Sequence, residues 1–121
     1  MASSHLKDPV PEKHFTYLVI IPDVPNSNRC KPDLRAKHIE NSKVGYDNGR
    51  IIDGSAWYGQ DPAHMDREAT LEDCRGSFQI VRAASAEEVR EKFSQDVYTT
   101  GGTWDVNKIQ ILPMINRPLN K

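Results

Sequence analysis

Phe15-Thr16-Tyr17-Leu18-Val19-Ile20-Ile21 is an aromatic and β-branched run ended by Pro22, and as a strand it is apolar on both faces. Period-two alternation puts Phe15, Tyr17, Val19 and Ile21 on one side and Leu18 and Ile20 on the other. A strand that needs cover on both sides belongs at the centre of a sheet. The 121-residue chain makes one domain, burying roughly two thirds of its unfolded surface. Helices from so short a chain can cover one sheet face, so the second cover is expected from another subunit.

The remaining elements follow in order. Turn residues fill 23–28, and Pro32 with Asp33 suits the first turn of a helix. Leu34, His38 and Ile39 face broadly inward on it, and Asp47-Asn48-Gly49 stops it. Residues 50–57 read as a second strand, where Gly54 marks a bulge or a close backbone approach. Residues 58–75 are polar and aperiodic, a long connection with a short helical turn expected around 66–71. Residues 77–83 alternate as a third strand. Ser85 and Glu88 then form a capping box, and Ala86, Val89, Phe93 and Val97 recur at helical spacing until Gly101-Gly102 ends the helix. Residues 106–114 hold a fourth strand. The order β-α-β-β-α-β predicts an α+β, ferredoxin-like fold: a four-stranded antiparallel sheet with two helices on one face. The domain is expected over 15–115, between a mobile N-terminal tail (1–14) and a C-terminal tail (116–121).

Composition excludes several function classes. With 16 basic and 17 acidic residues, no global field draws the chain to nucleic acid or an anionic membrane. No apolar run approaches a bilayer span, and residues 1–14 lack the apolar stretch of a signal peptide. A cytoplasmic protein with two reduced thiols, Cys30 and Cys74, is therefore expected. His5, His14 and His64 have no metal-ligand spacing, and Asp61, Asp66 and Glu68 match no calcium loop. GxGxxG, Walker and GxSxG patterns are absent, so neither a metal nor a cofactor is expected.

The topology brings two distant fragments together. Right-handed crossovers place both helices on one sheet face, running antiparallel, so the start of the first lies beside the finish of the second. His38 falls about six residues into the first helix, roughly 9 Å along its axis. Asp96 falls in the last turn of the second. Histidine exchanges a proton near neutral pH, and a carboxylate on one ring nitrogen fixes the tautomer and stabilises the imidazolium. The same pair also serves proteins as a half-buried structural contact, so spacing alone leaves both roles open.

At these residues the chain resembles the YCII-related family of the dimeric α+β barrel superfamily, over about residues 15–115. The marks are the opening strand, Arg35-x-x-His38, Asn48-Gly49-Arg50-Ile51-Ile52 leading to Gly54, and Asp96-x-Tyr98 with Gly101. Val97 stands where the family pattern has proline, and the 58–75 connection is longer than the compact family form. The resemblance implies a homodimer packed sheet against sheet, with His38 and Asp96 as the catalytic pair. It also implies chemistry of the kind seen in relatives that eliminate leaving groups from small aromatic rings or, more loosely, isomerise lactones. Eukaryotic relatives accompany secondary-metabolite pathways.

The expected function is thus a cofactor-independent lyase or isomerase on a small aromatic or polyketide-type metabolite. The alternatives are a non-catalytic ligand-binding or scaffold dimer and a cofactor-free monooxygenase of the same superfamily. Arg35, one turn before His38, can grip a carboxylate or phenolate, though such arginines also serve as solvated surface charges. Tyr98, Trp57 and Trp104 are candidates for an aromatic wall around a flat substrate, with core or interface packing as the competing role. Asp53 and Ser55 share a strand face that borders either the cleft or solvent.

Overall fold

The computed structural model describes residues 6–116; residues 1–5 and 117–121, which hold most of the expected C-terminal tail, lie outside it. Strands β1 (Phe15–Pro22), β2 (Ile51–Tyr58), β3 (Cys74–Ala83) and β4 (Gln110–Met114) form one antiparallel sheet in the order β2-β3-β1-β4. Helices α1 (Pro32–Asp47) and α2 (Ala86–Gln95) are the expected pair, and a one-turn helix α3 (Val97–Thr100) follows. β1 lies between β3 and β4, the interior position that its two apolar faces require. Tyr17, Val19 and Ile21 meet Val81, Ala83, Val89, Phe93, Tyr98 and Trp104 in a single core. On the other face Leu18, Ile20, Phe78 and Ile80 are half-buried, and Leu112 and Met114 are exposed.

Small side chains decide where the layers separate. Helix α1 buries only Asn41 and Gly45 completely. A Cβ on Gly45 would fall 2.5 Å from Ile51 Cδ1, so the helix presses on the start of β2 at that point. Farther along the sheet, the positions facing the helices are Gly54 and Ala56 on β2, paired with Gln79 and Ser77 on β3. Gly54, Ala56 and Ser77 carry little or no side chain toward α1, and a gap opens beneath the helix. Gly54 is the close approach expected of it: the Tyr46 hydroxyl lies 3.2 Å from where its Cβ would stand.

Three sequence expectations need correction. Residues 6–14 are not a loose tail: Leu6 is fully buried in the core. Asn48 Nδ2 donates to the Leu6 and Asp8 carbonyls, Arg50 Nη1 donates to the Pro9 carbonyl, and Lys92 pairs with Asp8 at 2.5 Å. In the 58–75 connection, single 3-10 turns form at Pro62–His64 and Leu71–Asp73, outside or at the edge of 66–71, and β3 begins at Cys74, ahead of Ser77. Pairing supplies the reason, since Cys74 faces Tyr58 and Gly76 faces Pro22. At α2, Ser85 Oγ accepts from the Glu88 N–H at 3.1 Å, but Glu88 Oε1 accepts from Ala84 N–H and Arg50 Nη2, both at 2.9 Å. Among the described residues no helix is long and apolar enough to cross a membrane.

Candidate functional site

Helix α2 ends at Gln95, two residues before Val97, the last residue of its hydrophobic period. Asp96 adopts φ −64°, ψ 146° and caps α3, its Oδ2 accepting from the Tyr98 N–H at 2.8 Å. Asp96 is therefore a buried cap between two helices, not part of the last turn of α2. The cap aims a fully buried carboxylate at α1, where Oδ2 also accepts from His38 Nδ1 at 3.2 Å. The expected meeting of the two helix ends is present as a direct contact.

That contact makes Nδ1 the protonated nitrogen and leaves the ring's lone pair on Nε2. The imidazole is held on two more sides. Tyr98 stacks on it at 3.8 Å between centroids and 8° between planes, and Trp104 meets it edge-on at 5.1 Å. An imidazolium formed there gains from Asp96 and from the aromatic faces.

His38 lines a cleft of about 590 Å³ in the gap between α1 and the β2–β3 half of the sheet. Arg35, Ser42, Lys43 and Tyr46 line it from α1, Gly54, Ser55 and Ala56 from β2, and Tyr98 and Trp104 close its inner end. Arg35, His38, Tyr98 and Trp104 are thus together. Trp57 is not with them: it pairs with Gly76 and lies over it, where a Cβ would fall 2.0 Å from the indole, and the alternation of β2 turns it to the opposite sheet face from Gly54 and Ala56. Ile39 borders the cleft but is half exposed, and Asp53 is exposed to solvent.

Tyr98 presents no hydroxyl to the cavity. It is fully buried, and its O–H donates to the Arg29 carbonyl at 3.2 Å. Burial raises the phenol's pKa, opposed by the nearby Arg35 and Arg29 guanidiniums. Its contribution to the site is the ring that supports His38.

Sequence reading misses Arg29, which lies in the loop between β1 and α1 and is 5% exposed. Its Nε and Nη2 donate to Asp23 at 2.7 and 2.6 Å, and Nη2 also donates to Ser77 Oγ at 2.7 Å. Burial alone would lower its pKa, but the Asp23 hydrogen bonds and charge outweigh that and raise it, so it stays cationic. Ser77 Oγ accepts a further bond from Trp104 Nε1 at 3.1 Å. A lone arginine in an aperiodic loop carries no sequence signal for such a role; only the fold brings Asp23, Ser77 and Trp104 around it. Among the described residues no three His, Cys, Asp or Glu side chains group as metal ligands.

Comparison with known proteins places this geometry in context. The family model for the YCII-related domain matches residues 15–114. The fusaric acid biosynthesis protein 2 of Gibberella fujikuroi is 32% identical over 97 residues, covering 80% of this chain and 89% of that protein. Its counterpart in Gibberella moniliformis is 31% identical over the same shares. The aspartate kinase FUB3 of Fusarium oxysporum f. sp. lycopersici is 33% identical over 97 residues, which span only 17% of that longer protein. Among solved structures, the 5-chloro-2-hydroxyhydroquinone dehydrochlorinase of Burkholderia phenoliruptrix, in complex with 2,5-dihydroxybenzoquinone, superposes with a TM-score of 0.58. It is 22% identical, and the match covers 84% of this chain and 93% of that one, which establishes a shared fold.

Proposed function

The chain belongs to the YCII-related family, and from that premise we propose that it is a cofactor-independent lyase or isomerase acting on a small aromatic or polyketide-type metabolite. The observation that carries the reading is the His38–Asp96 contact at the wall of an accessible cleft. His38 Nε2 takes a proton from an enolisable C–H or a ring hydroxyl, and the electron pair passes into the conjugated system. The imidazolium, whose Nε2 proton exchanges with solvent, then returns a proton at another atom, giving isomerisation, or delivers it to a departing leaving group, giving elimination. Asp96 fixes the tautomer and balances the imidazolium, a contribution typically worth roughly 10²- to 10⁴-fold together with the base itself. Arg35 stands on the cleft side of α1 within reach of an anionic substituent.

A place in secondary metabolism is supported by the printed names of the Gibberella relatives, and a ring substrate by the quinone bound to the dehydrochlorinase. A cytoplasmic setting is supported by Cys30 and Cys74 standing as free thiols. A homodimer through the open sheet face is supported by the apolar side chains of Leu18, Ile20, Phe78, Ile80 and Leu112.

The test is solvent isotope exchange. The full chain in D₂O with small hydroxyquinones and enolisable phenols is expected to wash deuterium into the substrate, seen by proton NMR. His38→Gln keeps a donor toward Asp96 and hence the fold, but removes the base, and exchange should fall by roughly 10²-fold or more. Compounds that bind the wild-type chain yet neither exchange nor convert would favour a ligand-binding dimer instead.

A further inference from the structure

Two side chains on the floor of the cleft carry hydrogen-bond donors that no acceptor among the described residues takes. Arg29 commits Nε and Nη2 to Asp23 and Ser77. Its Nη1 finds no acceptor among the described residues, and it is not sealed inside the protein either. Ser77 is constrained more tightly. Arginine and tryptophan side chains only donate, so the bonds from Arg29 Nη2 and Trp104 Nε1 occupy both lone pairs of Ser77 Oγ. Its proton is the one bonding direction left, and no acceptor within the described chain takes it. Both side chains are more than nine-tenths buried, and both line the cleft.

Two donors fixed side by side, one on a guanidinium, form a site for an oxygen that carries or develops negative charge. Two incoming donors polarise the Ser77 hydroxyl and strengthen its own donation. The Tyr98 hydroxyl is spent on the Arg29 carbonyl and does not compete for that role. Building on the catalytic reading above, we infer that Arg29 and Ser77 form an oxyanion subsite on the cleft floor, which selects planar ring substrates bearing a carboxylate, phenolate or enolate oxygen. Asp23 and Trp104 are its positioning residues. The subsite anchors the oxygen on the sheet side of the cleft while His38 works from the helix side, so the substrate ring spans the gap between them.

Calorimetric titration with benzoate and its uncharged analogue benzamide tests this without requiring turnover. The wild-type chain should bind benzoate about tenfold or more tightly than benzamide, the worth of one hydrogen bond to a charged group. Arg29→Lys retains a cation for Asp23 but loses the planar fork, and should remove most of that preference. Ser77→Ala should weaken benzoate about tenfold, and Ser77→Thr, which keeps the hydroxyl, should restore it. Lys37→Ala, an exposed α1 lysine outside the cleft lining, should change neither affinity. The inference is overturned if benzoate binds no more tightly than benzamide, if neither binds, or if the preference survives Arg29→Lys and Ser77→Ala but is lost in Arg35→Ala. His38→Gln separates the two readings: it should abolish isotope exchange while leaving the benzoate preference intact.

Discussion

Val97 occupies the first position of α3, directly after the Asp96 cap. Proline suits such a position because its missing N–H would have no helical partner and its φ is already set. The residue before it must be extended, and Asp96 at φ −64°, ψ 146° already is. Valine holds this turn at a higher entropic cost than proline would. Val97→Pro should stabilise the fold by about 0.4–1 kcal/mol in thermal or denaturant unfolding, with the His38–Asp96 contact kept. Destabilisation would show that the Val97 side chain or N–H has a structural task. At this scale the meeting of His38 with Asp96 is legible in the sequence, because topology alone fixes which helix ends adjoin. The break at Asp96 is not, because Val97 continues the apolar period of Val89 and Phe93 and hides it. Arg29 and Ser77 are equally invisible, since their roles come from partners far apart in the chain.

Elements were readable where hydrophobic period and turn chemistry agreed. β1 and α1 fall close to their expected bounds, and β1 takes the interior place its two apolar faces demand, whereas α2 starts as expected but stops at Gln95, short of Gly101-Gly102. Expectation failed for residues 6–14, where prolines and charges suggest a solvated tail. One leucine and a set of backbone carbonyls instead tie the segment to Asn48, Arg50 and Lys92. Arg50 is 1% exposed and joins three parts of the chain through Pro9, Arg82 and Glu88. Leu6→Ala should accordingly cost about 2–5 kcal/mol of unfolding free energy, the usual range for truncating a fully buried leucine. A change below half a kcal/mol would mean that the segment is not seated in the core.

Across the whole molecule, the cleft lies where the small residues Gly54, Ala56 and Ser77 face helix α1, which presses on the start of β2 at Gly45. The same sheet turns a second apolar surface outward, half-buried at Leu18, Ile20 and Ile80. Pairing of that surface with a second copy predicts a dimer in solution. Ile20→Asp, in the row formed by Phe78, Ile20 and Gln110, should yield a monomer by light scattering while leaving the helix-side core folded. A wild-type chain that is already monomeric at working concentration would refute the pairing. Proton transfer by His38 depends on Asp96 holding the ring in one tautomer beside an open cleft. Nitrogen-15 NMR of the His38 ring, recorded where the imidazole is neutral, reads that tautomer directly. The prediction is a protonated Nδ1 and a bare Nε2; a ring found mainly with its proton on Nε2 would contradict it.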